Sequence, residues 1–169
     1  MNFKNYKIIV SRILNLKNYR IYNSQKGEKM TNYVFYDDTD CGGIVYHSNY
    51  ITFCERARSY IFFENGIFPH EISSEESRGF VVRSVDSKFF YPLQFADKYE
   101  VKSKVLELKH TSLNVRQEIF KIDSINAKNK IESPILSFCA TINLAYIDLK
   151  TKKPSKIPEH LREILLKYL

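Results

Sequence analysis

Tyr36 to Arg58 read YDDTDCGGIVYHSNYITFCERAR, a polar turn that feeds directly into a helical pattern. The turn gathers Asp37, Asp38 and Asp40 with Cys41, the pair Gly42-Gly43 and His47. From Ser48 to Asn65 the apolar positions Tyr50, Phe53, Cys54, Ala57, Tyr60 and Ile61 recur at intervals of three and four, with Glu55, Arg56 and Arg58 on other faces. That spacing predicts an amphipathic helix. Ser48 or Asn49 is placed to cap its start and Asn65-Gly66 to end it. Upstream, Thr31 to Asp38 (TNYVFYDD) is a short aromatic and β-branched run, expected as a strand entering the turn.

Downstream the pattern changes to strands: Gly79–Tyr91, Asp97–Leu108, Ser112–Ile122 and Ile135–Ile147. In the third of these, Leu113, Val115 and Gln117 alternate with Asn114, Arg116 and Glu118, as in a half-buried antiparallel strand. Asp123–Ser133 reads as a polar hairpin loop, and Pro158 opens a final helix. Strand, long helix, then four strands predicts an α+β fold in which an antiparallel sheet wraps around one central helix. One helix cannot cover all of such a sheet, so self-association is expected.

The chain has 169 residues, enough for one domain with its own core. Its formal charge of +7 is concentrated at the start: residues 1–29 hold seven Lys/Arg against the single acid Glu28. The rest is nearly neutral, which gives no case for nucleic acid unless the leader itself binds it. The run Lys26 to Met30 (KGEKM) back-translates to a purine-rich ribosome-binding sequence ahead of a methionine codon, so Met30 is the expected start of the native chain. An amphipathic organelle leader is the other reading of residues 1–29. Three cysteines, Cys41, Cys54 and Cys139, show no C-x-x-C spacing and point to a reducing, cytoplasmic setting without disulfides or structural zinc. No apolar run reaches the ~20 residues of a membrane helix.

Asp40 stands just ahead of a helix start, where free N–H groups and a partial positive charge suit a developing oxyanion. A carboxylate there can act as general base on water or attack a carbonyl directly. His47 at the helix mouth and the Tyr36 phenol are the other polar groups at hand. A D-x-D before glycine is also an ordinary self-capping turn. A calcium loop begun at Asp38 fails, because Gly42 and Asn49 stand where acidic or amide ligands are needed. Cys41 is a poor nucleophile beside so many carboxylates, which disfavour a thiolate.

The stretch resembles the signature of hot-dog-fold acyl-CoA thioesterases of the 4-hydroxybenzoyl-CoA thioesterase family, of the Tol-Pal-associated YbgC type. There a strand ends in Tyr-x-(Glu/Asp)-Asp-Thr-Asp, followed by a Gly pair, Val/Ile-Val-Tyr-His and a helix bearing Glu-Arg-Ala-Arg. The resemblance extends through FVVRSVDSKFFYP and HTSLNVRQEI to DLKTKKPSKIP, roughly Asn32 to Pro158. It divides the chain into a leader, 1–29, and one hot-dog domain, 30–169.

The resemblance implies hydrolysis of acyl-CoA thioesters, with Asp40 as the catalytic carboxylate, the backbone N–H at His47 polarising the carbonyl, and Tyr36 near the carboxylate. Asp38 is expected to be structural. Gly43, Tyr46, Ser112 and Arg83 are the expected substrate-binding positions. Arg56, Arg58, Lys88 and the Lys150–Lys156 cluster are further candidates for the coenzyme's phosphates, and Phe53, Phe62, Phe63, Phe89 and Phe90 for the acyl pocket. No cofactor is implied beyond the coenzyme A carried by the substrate. Coenzyme A and acyl-carrier-protein thioesters both stay open, as do dimer and tetramer. The alternative is a non-catalytic module of the same fold that binds such thioesters or an acyl carrier protein.

Overall fold

The computed structural model describes residues 29–68, 77–124 and 133–169. The leader up to residue 28, the segment 69–76 and the centre of the expected hairpin loop, 125–132, lie outside the described residues. The elements are β1 (Lys29–Tyr33), a one-turn 3-10 helix (Tyr36–Asp38), α1 (His47–Phe63), β2 (Arg78–Phe89), β3 (Asp97–Leu108), β4 (Ser112–Ser124), β5 (Ile135–Asp148) and α2 (Glu159–Leu166). The five strands form one antiparallel sheet in the order β1-β3-β4-β5-β2, curled around α1.

The sheet's helix-facing side is set by alternation. Leu113, Val115, Gln117, Ile119 and Lys121 of β4 are buried, as are Phe138, Ala140, Ile142, Leu144 and Tyr146 of β5. Against them α1 buries Tyr50, Phe53, Cys54 and Ala57. Phe53 stacks on Tyr99 of β3 at 4.5 Å and Tyr50 on Phe138 at 5.2 Å. Each such fully buried side chain is worth about 1.5–3 kcal/mol of transfer free energy. Burial holds the Cys54 thiol in its neutral form, pushing its pKa up to about 12 against the opposing charge of Arg58. Gly66, with φ +70°, ends the helix and lets the Gly66 and Ile67 N–H groups donate to the Phe63 and Phe62 carbonyls.

Two expectations are corrected. The first strand stops at Tyr33, because Asp38 Oδ2 accepts the Phe35 N–H at 2.9 Å and folds the expected strand end into a 3-10 turn. The N-cap of α1 is Tyr46, without a side-chain cap; Asn49 instead donates its amide to the Asp38 carbonyl at 2.9 Å.

On β2, Val82 pairs with Leu144 and Ser84 with Asn143, which leaves Arg83 as a bulge. The extra residue shifts the alternation, so Phe80 and Val82 before it and Val85 and Phe89 after it share the helix-facing side. Yet Val82 and Phe89 remain 53% and 54% exposed, although Tyr50 of α1 meets the Phe89 ring edge-on at 5.4 Å. At the other end of the molecule α2 buries Leu161, Ile164 and Leu165, and the Tyr168 carbonyl accepts the Val105 N–H at 2.7 Å.

Candidate active site

Asp40 sits in a tight hairpin closed by an antiparallel bridge between Thr39 and Val45. The Asp40 N–H donates to the Ile44 carbonyl and the Gly43 N–H to the Asp40 carbonyl, both at 3.0 Å. Gly43 has φ +74°, a conformation that glycine adopts without strain. The Gly42 N–H donates to Asp40 Oδ1 at 2.8 Å, an Asx turn that fixes the carboxylate's direction. Oδ2 has no partner among the described residues, and the side chain is exposed.

The hairpin's second arm runs into α1. Asp38, buried and structural as expected, joins the two: its carbonyl accepts the Tyr46 N–H at 3.0 Å and the Asn49 amide, while its carboxylate holds Phe35. His47 is the first residue of the helix and is exposed, its ring 4.3 Å from that of Tyr46. The first N–H groups of a helix have no acceptor within it; at α1 the Asn49 N–H turns back to the Tyr46 carbonyl at 2.8 Å, and those of His47 and Ser48 have no backbone acceptor among the described residues. Tyr36 is 79% exposed, with its ring 4.8 Å from Phe95.

A third segment, Tyr91 to Asp97, braces the turn from behind. The Val45 N–H donates to the Leu93 carbonyl at 2.8 Å, Ile44 bridges to Gln94, and the Leu93 N–H donates to the Tyr50 hydroxyl at 2.9 Å. Burial raises the Tyr50 pKa, so this phenol remains neutral and bonded. The segment is held in turn by a buried ion pair, Lys121 Nζ to Asp97 Oδ2 at 2.7 Å, and by the Gln94 N–H on the same oxygen at 2.9 Å. The sequence reading missed this brace, although Pro92 breaking an aromatic run was a signal for a turn with a supporting role.

Tyr36, Asp40, Gly43, Tyr46 and His47 are thus collected in one hairpin-helix unit. Ser112 and Arg83 are not brought to it within one protomer. Ser112 pairs with Ala145, which pairs with Val81, whereas the turn adjoins the Phe138–Phe89 end of the same strands. Arg83 is exposed at the β2 bulge. The exposed Lys150, Lys152, Lys153 and Lys156 follow β5, again at the far end. Arg58 is corrected as a candidate for coenzyme phosphates: its guanidinium turns inward and donates to Gln117 Oε1 at 2.5 Å. Arg56 lies with its guanidinium 5.9 Å from the Phe53 ring centroid. Among the aromatic candidates, Phe53 is core, Phe62 stacks on Phe80, Phe63 on Phe68, and Phe89 and Phe90 are exposed at the sheet edge beside the turn. Among the described residues, no three of His, Cys, Asp and Glu group closely enough to hold a metal ion, and no helix is long and apolar enough to cross a membrane.

The profile of a family described as "Thioesterase-like superfamily" matches residues 34–165. The acyl-CoA thioesterase YbgC of Helicobacter pylori is 35% identical over 132 residues, covering 78% of this chain and 95% of that protein. The acyl-CoA thioester hydrolase YbgC of Escherichia coli is 31% identical over 130 residues, covering 76% and 87%. Among solved structures, Slr0204, a 1,4-dihydroxy-2-naphthoyl-CoA thioesterase from Synechocystis, superposes with TM-score 0.71 at 19% identity, covering 82% of this chain and 95% of its own. SAV2348 from Staphylococcus aureus, solved in complex with CoA, superposes with TM-score 0.71 at 14% identity, covering 87% of each chain.

Proposed function

The chain belongs to the thioesterase-like superfamily, with its hot-dog fold, and is an acyl-CoA thioesterase; from that premise we propose that the Asp40 carboxylate carries the hydrolysis. The supporting observation is the geometry of that carboxylate, with Oδ1 anchored on the Gly42 N–H at 2.8 Å and Oδ2 open. A thioester carbonyl placed over the turn has the open oxygen on one side and the first N–H groups of α1 on the other.

Either of two routes uses this pair. Asp40 takes a proton from water as the water adds to the carbonyl carbon, or Oδ2 itself adds and forms an anhydride that water then cleaves. In both, the carbonyl oxygen becomes an oxyanion held by the backbone N–H at His47, and the C–S bond breaks as the tetrahedral centre collapses. The departing thiolate is stable enough to leave without a metal, or takes the proton that Asp40 holds.

The edge strand β2 supports assembly. A long edge with exposed apolar side chains is a pairing surface, and Val82, Val85 and Phe89 face the side that a second copy would cover. We place the homo-oligomer contact there, beside the turn, so that a partner completes the wall of the acyl site.

Thiol release from short, long and aromatic acyl-CoA thioesters, by the parent and by Asp40→Asn, tests the assignment. A loss of at least ~100-fold in kcat, with fold and assembly intact, is the size expected of a group that transfers a proton or bonds to substrate. Turnover by Asp40→Asn within about tenfold of the parent would remove Asp40 from the mechanism.

A further inference from the structure

The C-terminal half of α1 covers a cavity of about 240 Å³ between the helix, the sheet and α2. Ile61, Phe62, Phe80, Leu144 and Leu165 supply much of its apolar wall, and none of residues 36–50 lines it. It is therefore separate from the Asp40 turn. At ~30 Å³ for each water-sized group, this volume holds about eight non-hydrogen groups.

Arg58 also borders the cavity. Its only hydrogen bond among the described residues runs from Nη1 to Gln117 Oε1. Gln117 is 0% exposed and cannot turn away, because its Nε2 donates to the Cys54 carbonyl at 3.0 Å and to Ser103 Oγ at 2.8 Å. None of the ion pairs among the described residues, Lys109–Glu107, Arg116–Glu118 and Lys121–Asp97, involves Arg58, and Glu55 offsets its charge only through space. Glu55, the one acidic residue in the lining, is exposed and takes the Ser59 hydroxyl on Oε1 at 2.5 Å; Arg78 at the rim adds a second positive charge. Burial lowers the Arg58 pKa, the mark of a guanidinium whose lost hydration is poorly replaced.

A guanidinium has five N–H donors in a planar fork that fits a carboxylate. A partly desolvated cation with most of those donors unused, set in the wall of an apolar chamber, is complementary to a ligand with an anionic head and an apolar body. We propose that this cavity binds a small monocarboxylic acid of about six carbons, with its carboxylate on Arg58 and its chain among Ile61, Phe62, Phe80 and Leu144. The guanidinium fork selects an acid over a thioester, since a thioester offers an uncharged carbonyl in place of the carboxylate. The proposal does not depend on the role assigned to Asp40.

Calorimetric titration of the full chain with hexanoate, benzoate and hexan-1-ol tests it, with Arg58→Gln, Ser59→Trp and Asp40→Asn measured alongside. Hexanoate should bind at least ~10-fold more tightly than hexan-1-ol, the minimum for one charge-assisted pair, and benzoate reports whether an aromatic body is accepted equally. Arg58→Gln, whose amide can still donate toward Gln117, should erase the preference for the acid while leaving hexan-1-ol binding in place. Ser59→Trp, at a half-buried position lining the cavity, should remove both. Asp40→Asn should change neither. Equal affinity for acid and alcohol, an acid preference that survives Arg58→Gln, or hexanoate binding that survives Ser59→Trp or disappears in Asp40→Asn would each overturn the assignment. If Arg58→Gln does not fold, Ser59→Trp decides the matter by itself.

Discussion

Gly42 and Gly43 stand side by side in the Asp40 hairpin, and alanine at each should fail in a different way. A Cβ added at Gly42 lies 3.1 Å from Asp40 Oδ1, the oxygen that its own N–H holds. Comfortable contact begins near ~3.5 Å, so the carboxylate has to retreat by about 0.3–0.5 Å. A displacement of ~1 Å at a reacting group can cost ~100-fold; scaled logarithmically, the smaller shift costs about four- to tenfold in kcat. Stability should fall by less than ~1 kcal/mol, because the turn is exposed. At Gly43 the added Cβ meets nothing within 4 Å, but φ is +74°. Left-handed backbone costs a non-glycine residue about 1–2 kcal/mol, offset by the ~0.4–1 kcal/mol that alanine gains from a less flexible unfolded chain. The net ~1 kcal/mol corresponds to a drop of about 2–4 °C in Tm for a domain of this size. Steady-state kinetics and thermal melts on the two variants separate the effects. A Gly42→Ala enzyme with parental kcat, or one whose losses in kcat and Tm match those of Gly43→Ala, would refute the claim that the Asx turn aims the carboxylate.

Three further outcomes follow from the same structure. Gln117→Leu removes the acceptor of the inward-turned Arg58 guanidinium, so urea unfolding should show a loss of about 3 kcal/mol, part of it restored in the double variant Arg58→Met/Gln117→Leu; a loss under ~1 kcal/mol would mean that the network is not coupled. Val85→Lys/Phe89→Lys puts charge on the helix-facing side of the β2 edge, and light scattering should show the assembly dissociating to monomer with turnover reduced at least ~10-fold; an unchanged mass would exclude this edge as the contact. The folded Cys54 pKa of about 12 lies above its ordinary value near 9.0, so between these pH values the unfolded chain has lost a proton that the folded chain keeps. Stability is then fully present below pH ~9 and falls as pH rises, by up to ~1.4 kcal/mol per unit from this group. Cys54→Ala should flatten that slope in urea titrations at pH 8 to 10.5, and an unaltered slope would assign the alkaline loss to other groups such as Tyr99, whose pKa burial also raises.

The strands were legible because apolar and polar residues alternate over much of their length, most regularly in β4. Asp97–Leu108 was read with its observed ends, and Ser112 and Ile135 were read as the first residues of their strands. The helix was legible from Tyr50, Phe53, Cys54 and Ala57, all of which it buries. Gln117 fell on the buried face of β4 in the sequence reading, but nothing local could say that Arg58, 59 residues away, would satisfy it. The β2 bulge was hidden for a similar reason. Arg83 is read from the sequence as a substrate-binding cation within the strand Gly79–Tyr91, and its place at an irregularity shows only once Val82 and Ser84 are paired with adjacent residues of β5. The turn itself carried more of its meaning locally, since an Asx turn needs only an aspartate two residues before the donor.

One misread boundary bears directly on the chemistry. Ser48 and Asn49 are good capping residues and the helix starts beside them, yet neither caps it. Had a serine, threonine or aspartate occupied position 46, its side chain would accept one of the first free N–H groups, a gain of about 1 kcal/mol in helix stability that would remove a donor from the site. Tyr46 offers no such acceptor, its own N–H is taken by the Asp38 carbonyl, and that same carbonyl draws the Asn49 amide away from the helix end. The arrangement leaves the positive end of α1 open next to a carboxylate whose free oxygen also lacks a partner. Both groups would gain stability from local bonds that the sequence around them does not supply, and in the mechanism we propose a thioester carbonyl in the turn would satisfy the first while presenting its carbon to the second.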